Sequence, residues 1–302
     1  MRIVFLGTGG TYPSKVRNVT SIAVQLPGEV LLFDCGEGTQ RQLMSSTVSF
    51  MKISKIFVSH LHADHFLGLP GLIQSMSLNG REDPLYVFGP VGTVRNMRMM
   101  LSLGYFKSGF EVIAKDLRPG AAIECDGYRV LSASAEHTIP ALAYAIEEHS
   151  RVGRFDLKKA RALGIPEGPL FRRLQEGKPV TVDGRKIAPE MVLGPARPGR
   201  KVVYSGDTRP SKEIVRMAKN ADVLIHDCTL DSSHIGLARG FGHSTAAQAA
   251  RVAKRANAGM LFLVHMSPRY EDTAVLEREA RAVFRNTVAA KDLMEYPVRY
   301  RG

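Results

Sequence analysis

Strand-like apolar runs recur along the whole chain, at 3–6, 21–26, 30–34, 53–59, 85–88, 110–114, 128–133, 143–147, 202–205, 223–225 and 260–264. Helical spacing of apolar residues falls between several of them, at 38–44, 65–77, 91–103, 212–218, 244–257 and 273–291. Hairpin-like strand pairs mixed with helices predict an α/β protein in which two sheets pack together with helices outside. No repeat of fixed period is visible.

One region breaks this rhythm. From about 150 to 200 the chain is rich in Gly and Pro, with a single short helical piece predicted over 156–163. A stretch of this length with little regular structure, set inside a compact domain, reads as a functional protruding arm. The expected organisation is one domain over 1–302 with a basic arm inserted at 150–200.

Composition narrows the class. The 302 residues are 44% hydrophobic and 23% charged, as in a soluble protein with a large core. No run of 18 apolar residues occurs, and the chain begins on a strand-like run, so neither a membrane span nor a secretory signal is expected. Cys35, Cys125 and Cys228 are too few and too scattered for a disulfide framework or a paired-cysteine zinc site, which points to a reduced, cytoplasmic setting. The net charge is +12, and residues 151–200, with 12 Lys/Arg and 5 Asp/Glu, hold +7 of it. Such a segment attracts phosphate backbones, as a nucleic acid partner would supply.

The chemistry is concentrated in His60-Leu61-His62-Ala63-Asp64-His65, directly after the apolar run at 53–58. Burying three imidazoles and a carboxylate without a cation would leave lone pairs and charge uncompensated. Imidazole and carboxylate suit zinc, and also manganese or iron. Four such groups crowd one ion, so two ions about 3.5–4 Å apart are expected, an arrangement suited to phosphodiester hydrolysis. The remaining ligands should follow strands, which hold side chains rigidly. His137, Asp207 and His265 each follow a strand-like run. The expected sharing is His60, His62 and His137 on one zinc, Asp64, His65 and His265 on the other, and Asp207 bridging them. Gly7-Thr8-Gly9-Gly10 is not a dinucleotide loop, because Tyr12-Pro13 follows where a helix should open.

These residues carry a resemblance. HLHADH at 60–65, His137, the turn Ser205-Gly206-Asp207-Thr208 and His265 are similar to the metal motifs of the metallo-β-lactamase superfamily, whose fold is an αββα sandwich. FLGTGGTYPS at 5–14, FDCGEGTQ at 33–40, GHST at 242–245 and HMSPRY at 265–270 resemble, more narrowly, the short form of the ribonuclease Z family of tRNA 3′-processing endonucleases, over essentially the whole chain. The resemblance implies a homodimer acting on precursor tRNA. The 150–200 insertion, with Gly168-Pro169, would be its tRNA-binding arm, and the 7–10 loop would line the entrance for the RNA 3′ end. It also implies that Asp64 orients the attacking water and takes its proton.

His243 is the candidate general acid, since an imidazole titrates in the working range. A helix runs on from it, with Ser244 the expected cap. The family motif has a glutamate to orient this histidine where His226-Asp227-Cys228-Thr229 has the shorter Asp227. Arg269 is the candidate phosphate grip. The rival readings are a small-molecule hydrolase of the same superfamily, which would have no use for a basic arm, and a silent RNA-binding module.

Overall fold

The computed structural model describes residues 1–105 and 107–300. Two seven-stranded sheets carry most of the chain. The first contains β1 (Arg2–Gly7), β2 (Ser21–Gln25), β3 (Val30–Phe33), β4 (Ile53–Phe57), β5 (Leu85–Pro90), β6 (Val112–Leu117) and β16 (Glu295–Pro297), in the order β16-β1-β2-β3-β4-β5-β6. The second contains β7 (Ala122–Cys125), β8 (Tyr128–Ala135), β9 (Ala141–Glu148), β12 (Lys201–Tyr204), β13 (Val223–Asp227), β14 (Met260–Val264) and β15 (Thr287–Ala289), in the order β15-β14-β13-β12-β9-β8-β7. Strands β3 to β6 run parallel, and so do β12 to β15.

The sheets meet through an aromatic layer. Phe5 packs on Phe262 at 4.9 Å between ring centroids, and Tyr144 lies against Phe33 and Phe57 at 5.9 and 5.3 Å. Helices cover the outer faces. Leu43 of α1 (Thr39–Ser45), Leu72 and Met76 of α3 (Leu69–Leu78) and Met97 of α4 (Thr93–Leu101) pack into the core of the first sheet. Ile214 of α7 (Lys212–Met217), Ala246, Ala249, Ala250, Ala253 and Ala256 of α9 (Ala246–Ala256) and Leu276 of α10 (Ala274–Val283) do the same for the second. The architecture is therefore an αββα sandwich. The central strand β3 is buried along its whole length, which is why it reads as an unbroken apolar run rather than an alternating one.

Two helical expectations are corrected. The pattern over 65–77 is broken into α2 (Ala63–Phe66) and α3. Pro70 is tolerated only in a first turn, and the Gly68 N–H turns instead to the Cys35 carbonyl at 2.8 Å. The pattern over 273–291 is helical only as far as Val283. The β-branched Thr287 and Val288 then pair as β15 in parallel with β14.

Residues 126–128 and 148–199 form a second compact unit. It is more ordered than its composition suggests. It holds α5 (Leu157–Ala162), α6 (Pro169–Gln175) and the hairpin β10 (Val180–Val182) and β11 (Arg185–Ile187). Asp183 and Gly184 join the hairpin, both at positive φ, as a two-residue Asp-Gly turn requires. A small core of Ala160, Ile165, Leu174, Val180, Ile187 and Val192 closes it, with Phe155 against Phe171 at 4.7 Å. Asp156, Glu167 and Glu176 are engaged by neighbouring Lys and Arg, which leaves the surface cationic.

Candidate metal centre

The parallel arrangement brings the carboxyl ends of β3 and β4 and of β12, β13 and β14 to the same edge of their sheets, the usual place for a site in an open α/β sheet. Asp34 follows β3, Ser59-His60 follows β4, Asp207 follows β12, Asp227 ends β13 and His265 follows β14. Asp34 and His265 stand in the left-handed region at φ 56 and 60, a conformation that costs energy and tends to persist where function requires it. Gly10 crosses the His265 imidazole so closely that a Cβ there would fall 2.4 Å from the ring.

The seven expected ligands are brought together. His60 Nε2 and His137 Nε2 lie 3.0 and 3.1 Å from His62 Nδ1. Asp207 Oδ2 lies 3.6 Å from His60 Nε2, 3.3 Å from His65 Nε2 and 3.1 Å from His265 Nε2. Asp64 Oδ2 completes a second group, 3.5 Å from His65 Nε2 and 3.4 Å from His265 Nε2. Asp207 Oδ2 is thus shared by two donor groups, as a bridging carboxylate would be.

The tautomers follow from the hydrogen bonds. His60 Nδ1 is 3.0 Å from Ser59 Oγ, whose own proton goes to Asp34. His65 Nδ1 donates to Asp34 at 2.7 Å, and His137 Nδ1 donates to the Gly242 carbonyl at 2.9 Å. His265 Nδ1 is 3.0 Å from Thr229 Oγ1, whose proton goes to Asp227. Each of these rings therefore turns an Nε2 lone pair inward, the arrangement that metal-binding histidines adopt. His62 Nδ1 lies about 3 Å from the inward Nε2 atoms of His60 and His137, close to the roughly 3.3 Å at which a tetrahedral zinc would hold its nitrogens. His65 Nε2 and Asp207 Oδ1 are buried with no hydrogen-bond partner. The donor set fits divalent metal, and the clusters His60–His62–His137 and Asp64–His65–His265 are the places that would hold it.

Electrostatics agree. Burial holds His60 well below its ordinary pKa and lowers His62 and His137. Burial alone would raise Asp207 and Asp64. The imidazoles of His265, His65 and His60 around Asp207 hold it well below the carboxylate range, and the His265 hydrogen bond, with His65 beside it, brings Asp64 to about 2. A buried anion, Asp207, and a half-buried one, Asp64, among lone pairs make a cation site. The Thr11 N–H donates to Asp64 Oδ2 at 2.8 Å and steadies that carboxylate from the entrance loop.

Beside these groups, His243 lines a 530 Å³ cavity with His62, Asp64, His137 and Arg269. Its Nδ1 is 3.0 Å from Asp227 Oδ2, so the shorter carboxylate does reach the ring. Burial would lower the His243 pKa, but the Asp227 charge and hydrogen bond, with Asp207 beyond, raise it to about 9. The expected cap is corrected: α9 starts with a capping box of Thr245 and Gln248, and Ser244 Oγ donates to the Thr208 carbonyl instead. His226 is fully buried, with Nδ1 on the Asp227 carbonyl, and does not line the cavity. Arg269 is exposed, and its guanidinium has no ion-pair partner among the described residues. Gly168 and Pro169 lie in the second unit, exposed at the head of α6.

Asp34, Ser59, Tyr204 and Thr229 were not singled out from the sequence. Asp34 carried a readable signal, since it ends an apolar run just as His60 and His265 do.

Residues 186–266 match the β-lactamase superfamily domain, and residues 1–102 match the anti-Pycsar protein Apyc1 family. Ribonuclease Z of Methanosarcina acetivorans is 47% identical over 302 residues, 100% of this chain and 99% of that protein. Ribonuclease Z of Methanothermobacter thermautotrophicus is 48% identical over 99% of this chain and 97% of its own. Among solved structures, human tRNase Z, short form, is similar with a TM-score of 0.74 at 28% identity, covering 99% of this chain and 100% of its own. A metallo-β-lactamase fold protein from Bacillus subtilis, at 22% identity and a TM-score of 0.70, shares the fold. By full-length kinship to these relatives, the chain belongs to the ribonuclease Z family and has the metallo-β-lactamase fold.

Proposed function

We propose that this chain is a zinc-dependent endoribonuclease that removes the 3′ trailer from precursor tRNA, cutting after the discriminator base to leave a 3′ hydroxyl on the tRNA and a 5′ phosphate on the trailer. The observation that carries this reading is the pair of donor groups sharing Asp207 Oδ2 beside a cavity that also holds His243 and Arg269. The kinship to ribonuclease Z supplies the substrate class.

Two divalent cations, when bound, polarise the phosphoryl oxygens and bring the pKa of water down to about 7. The protein's own groups do the rest. His60, His62 and His137 form one triad, Asp64, His65 and His265 the other, and Asp207 joins them. Asp64 is braced by the Thr11 N–H. It orients the attacking water and takes its proton. Attack on phosphorus runs in line with the bond to the ribose 3′ oxygen, which leaves as that bond breaks. His243, kept protonated by Asp227, donates its proton to the leaving oxygen. Arg269 grips a phosphate oxygen near the cut.

The cationic unit at 148–199, with Gly168 and Pro169, is the arm that holds the tRNA body, and the protein acts in the cytoplasm as a homodimer. Among the described residues no helix is long and apolar enough to cross a membrane.

Cleavage of a 5′-labelled precursor tRNA, with and without prior chelation, tests the reading. A single metal-dependent cut after the discriminator is expected; no cut by metal-loaded protein would transfer the site to a small phosphodiester. Deleting residues 151–199 should weaken tRNA binding while sparing hydrolysis of a small phosphodiester, and unchanged tRNA affinity would refute the arm.

A further inference from the structure

The catalytic cavity has an apolar wall that the chemistry above does not use. Leu237 and Phe241 sit one turn apart on α8 (Ile235–Phe241), and both line the cavity with His243 and Arg269. They remain 39% and 59% exposed. Phe241 has no ring partner among the described residues, although other aromatics are paired across the core.

The helix stop fixes the backbone on which this ring is carried. The helix α8 stops in a Schellman motif: the His243 N–H reaches the Ala238 carbonyl at 2.8 Å and the Gly242 N–H the Arg239 carbonyl at 3.4 Å. Gly242 takes φ 83, and its carbonyl accepts from His137 Nδ1. A Cβ on Gly242 would fall 2.7 Å from that nitrogen. The stop thus ties Phe241 on one side of Gly242 to His243 on the other, and both to a metal-facing histidine.

We infer that Phe241 is the platform on which the nucleobase of the nucleotide that carries the leaving 3′ oxygen stacks, with Leu237 extending the surface. The inference rests on the tRNA reading and on His243 as proton donor. Phe241 and His243 line the same cavity, so the nucleotide whose oxygen takes the His243 proton has its base in the cavity that the Phe241 ring walls. An aromatic face suits every base, and neither Leu237 nor Phe241 offers a hydrogen-bonding group, so the platform holds the base without reading its identity. Its benefit is positional: a stacked base fixes the ribose, and the ribose fixes the scissile bond in line.

The test is cleavage by the zinc-loaded protein of two precursor tRNAs, one intact and one with an abasic discriminator nucleotide. Wild type should lose about 5- to 150-fold in kcat/KM on the abasic substrate, the usual worth of one base–aromatic stack. In Phe241→Ala and Phe241→Leu the intact substrate should be slowed by a similar factor, and removing the base should then cost nothing more. Phe241→Trp should retain the wild-type ratio. Each ratio is taken within one protein, so a poorly folding variant lowers both rates and leaves the ratio readable. Should base removal slow Phe241→Ala as much as it slows wild type, the platform is overturned. Wild type that cuts both substrates equally fast overturns the platform alone, whereas wild type that fails to cut the intact precursor overturns the tRNA reading and the platform with it.

Discussion

Asp34, after β3 of the first sheet, and Asp227, at the end of β13 of the second, occupy matching places. Both are fully buried. Asp34 accepts from Ser59 N, Ser59 Oγ, His65 Nδ1 and Tyr204 Oη. Asp227 accepts from Thr208 N, Thr229 Oγ1, Ser244 N and His243 Nδ1. Each also reaches a metal-facing imidazole through a hydroxyl: Asp34 through Ser59 to His60, Asp227 through Thr229 to His265.

The difference lies in the histidine each carboxylate touches directly. Asp34 holds His65, which is fully buried and faces Asp64 and Asp207. Asp227 holds His243, whose side chain is 12% exposed and lines the cavity. One device therefore serves two ends. In the first sheet it only orients ligands and, through Tyr204, links the sheets. In the second it orients His265 and, in the proposed mechanism, holds the histidine that gives the proton.

This contrast can be broken by substitution, beginning with the largest effect. Asp34→Asn turns an acceptor toward a donor among buried donors, and should lower stability by about 3–5 kcal/mol and metal affinity about 10- to 100-fold. Thermal unfolding and metal content after dialysis measure both; a stable, fully loaded variant would end the orienting role. Next, His243→Ala should slow RNA cleavage by about 10²- to 10⁴-fold with metal retained. Loss of metal in that variant would make His243 a ligand and dissolve the contrast.

Asp227→Asn should act through pH. The raised His243 pKa means the donating form is present below about 9 and is lost as pH rises through it. Without the carboxylate, the alkaline limb of kcat should move from about 9 toward the ordinary 6.5. An unmoved limb in the pH–rate profile would assign the proton to another group. The smallest effects belong to the hydroxyls. Ser59→Ala and Thr229→Val should each weaken metal binding about tenfold, measured by competition with a chelator.

How much of this was readable depends on how far along the chain each partner lies. His60, His62, Asp64 and His65 are neighbours in sequence, so their density alone announced a metal site. His137, Asp207 and His265 were found because polar residues directly after apolar runs are held rigidly by strand ends. Asp34 obeys the same rule but was missed, because an aspartate after a strand is ordinary until the parallel pairing of β3 with β4 sets it beneath Ser59. Ser59 and Thr229 carried no signal, hydroxyls being common. The helix α8 was hidden by Gly236 and Gly240, each about 1 kcal/mol poorer than alanine in a helix. Thr287 and Val288 followed a helical pattern until the open edge of β14 drew them into the sheet.

The sequence by itself determined the alternation of buried strands and amphipathic helices, the ligand types, and the basic, Gly- and Pro-rich segment near 150–200. These are local properties, set by side-chain chemistry and spacing. Only the tertiary structure decided which carboxylate faces which imidazole, that Asp207 is shared, and that Phe241 stands bare beside His243. Those depend on strand register between two sheets and on where a helix is forced to stop, and residues distant in sequence meet only once both are settled.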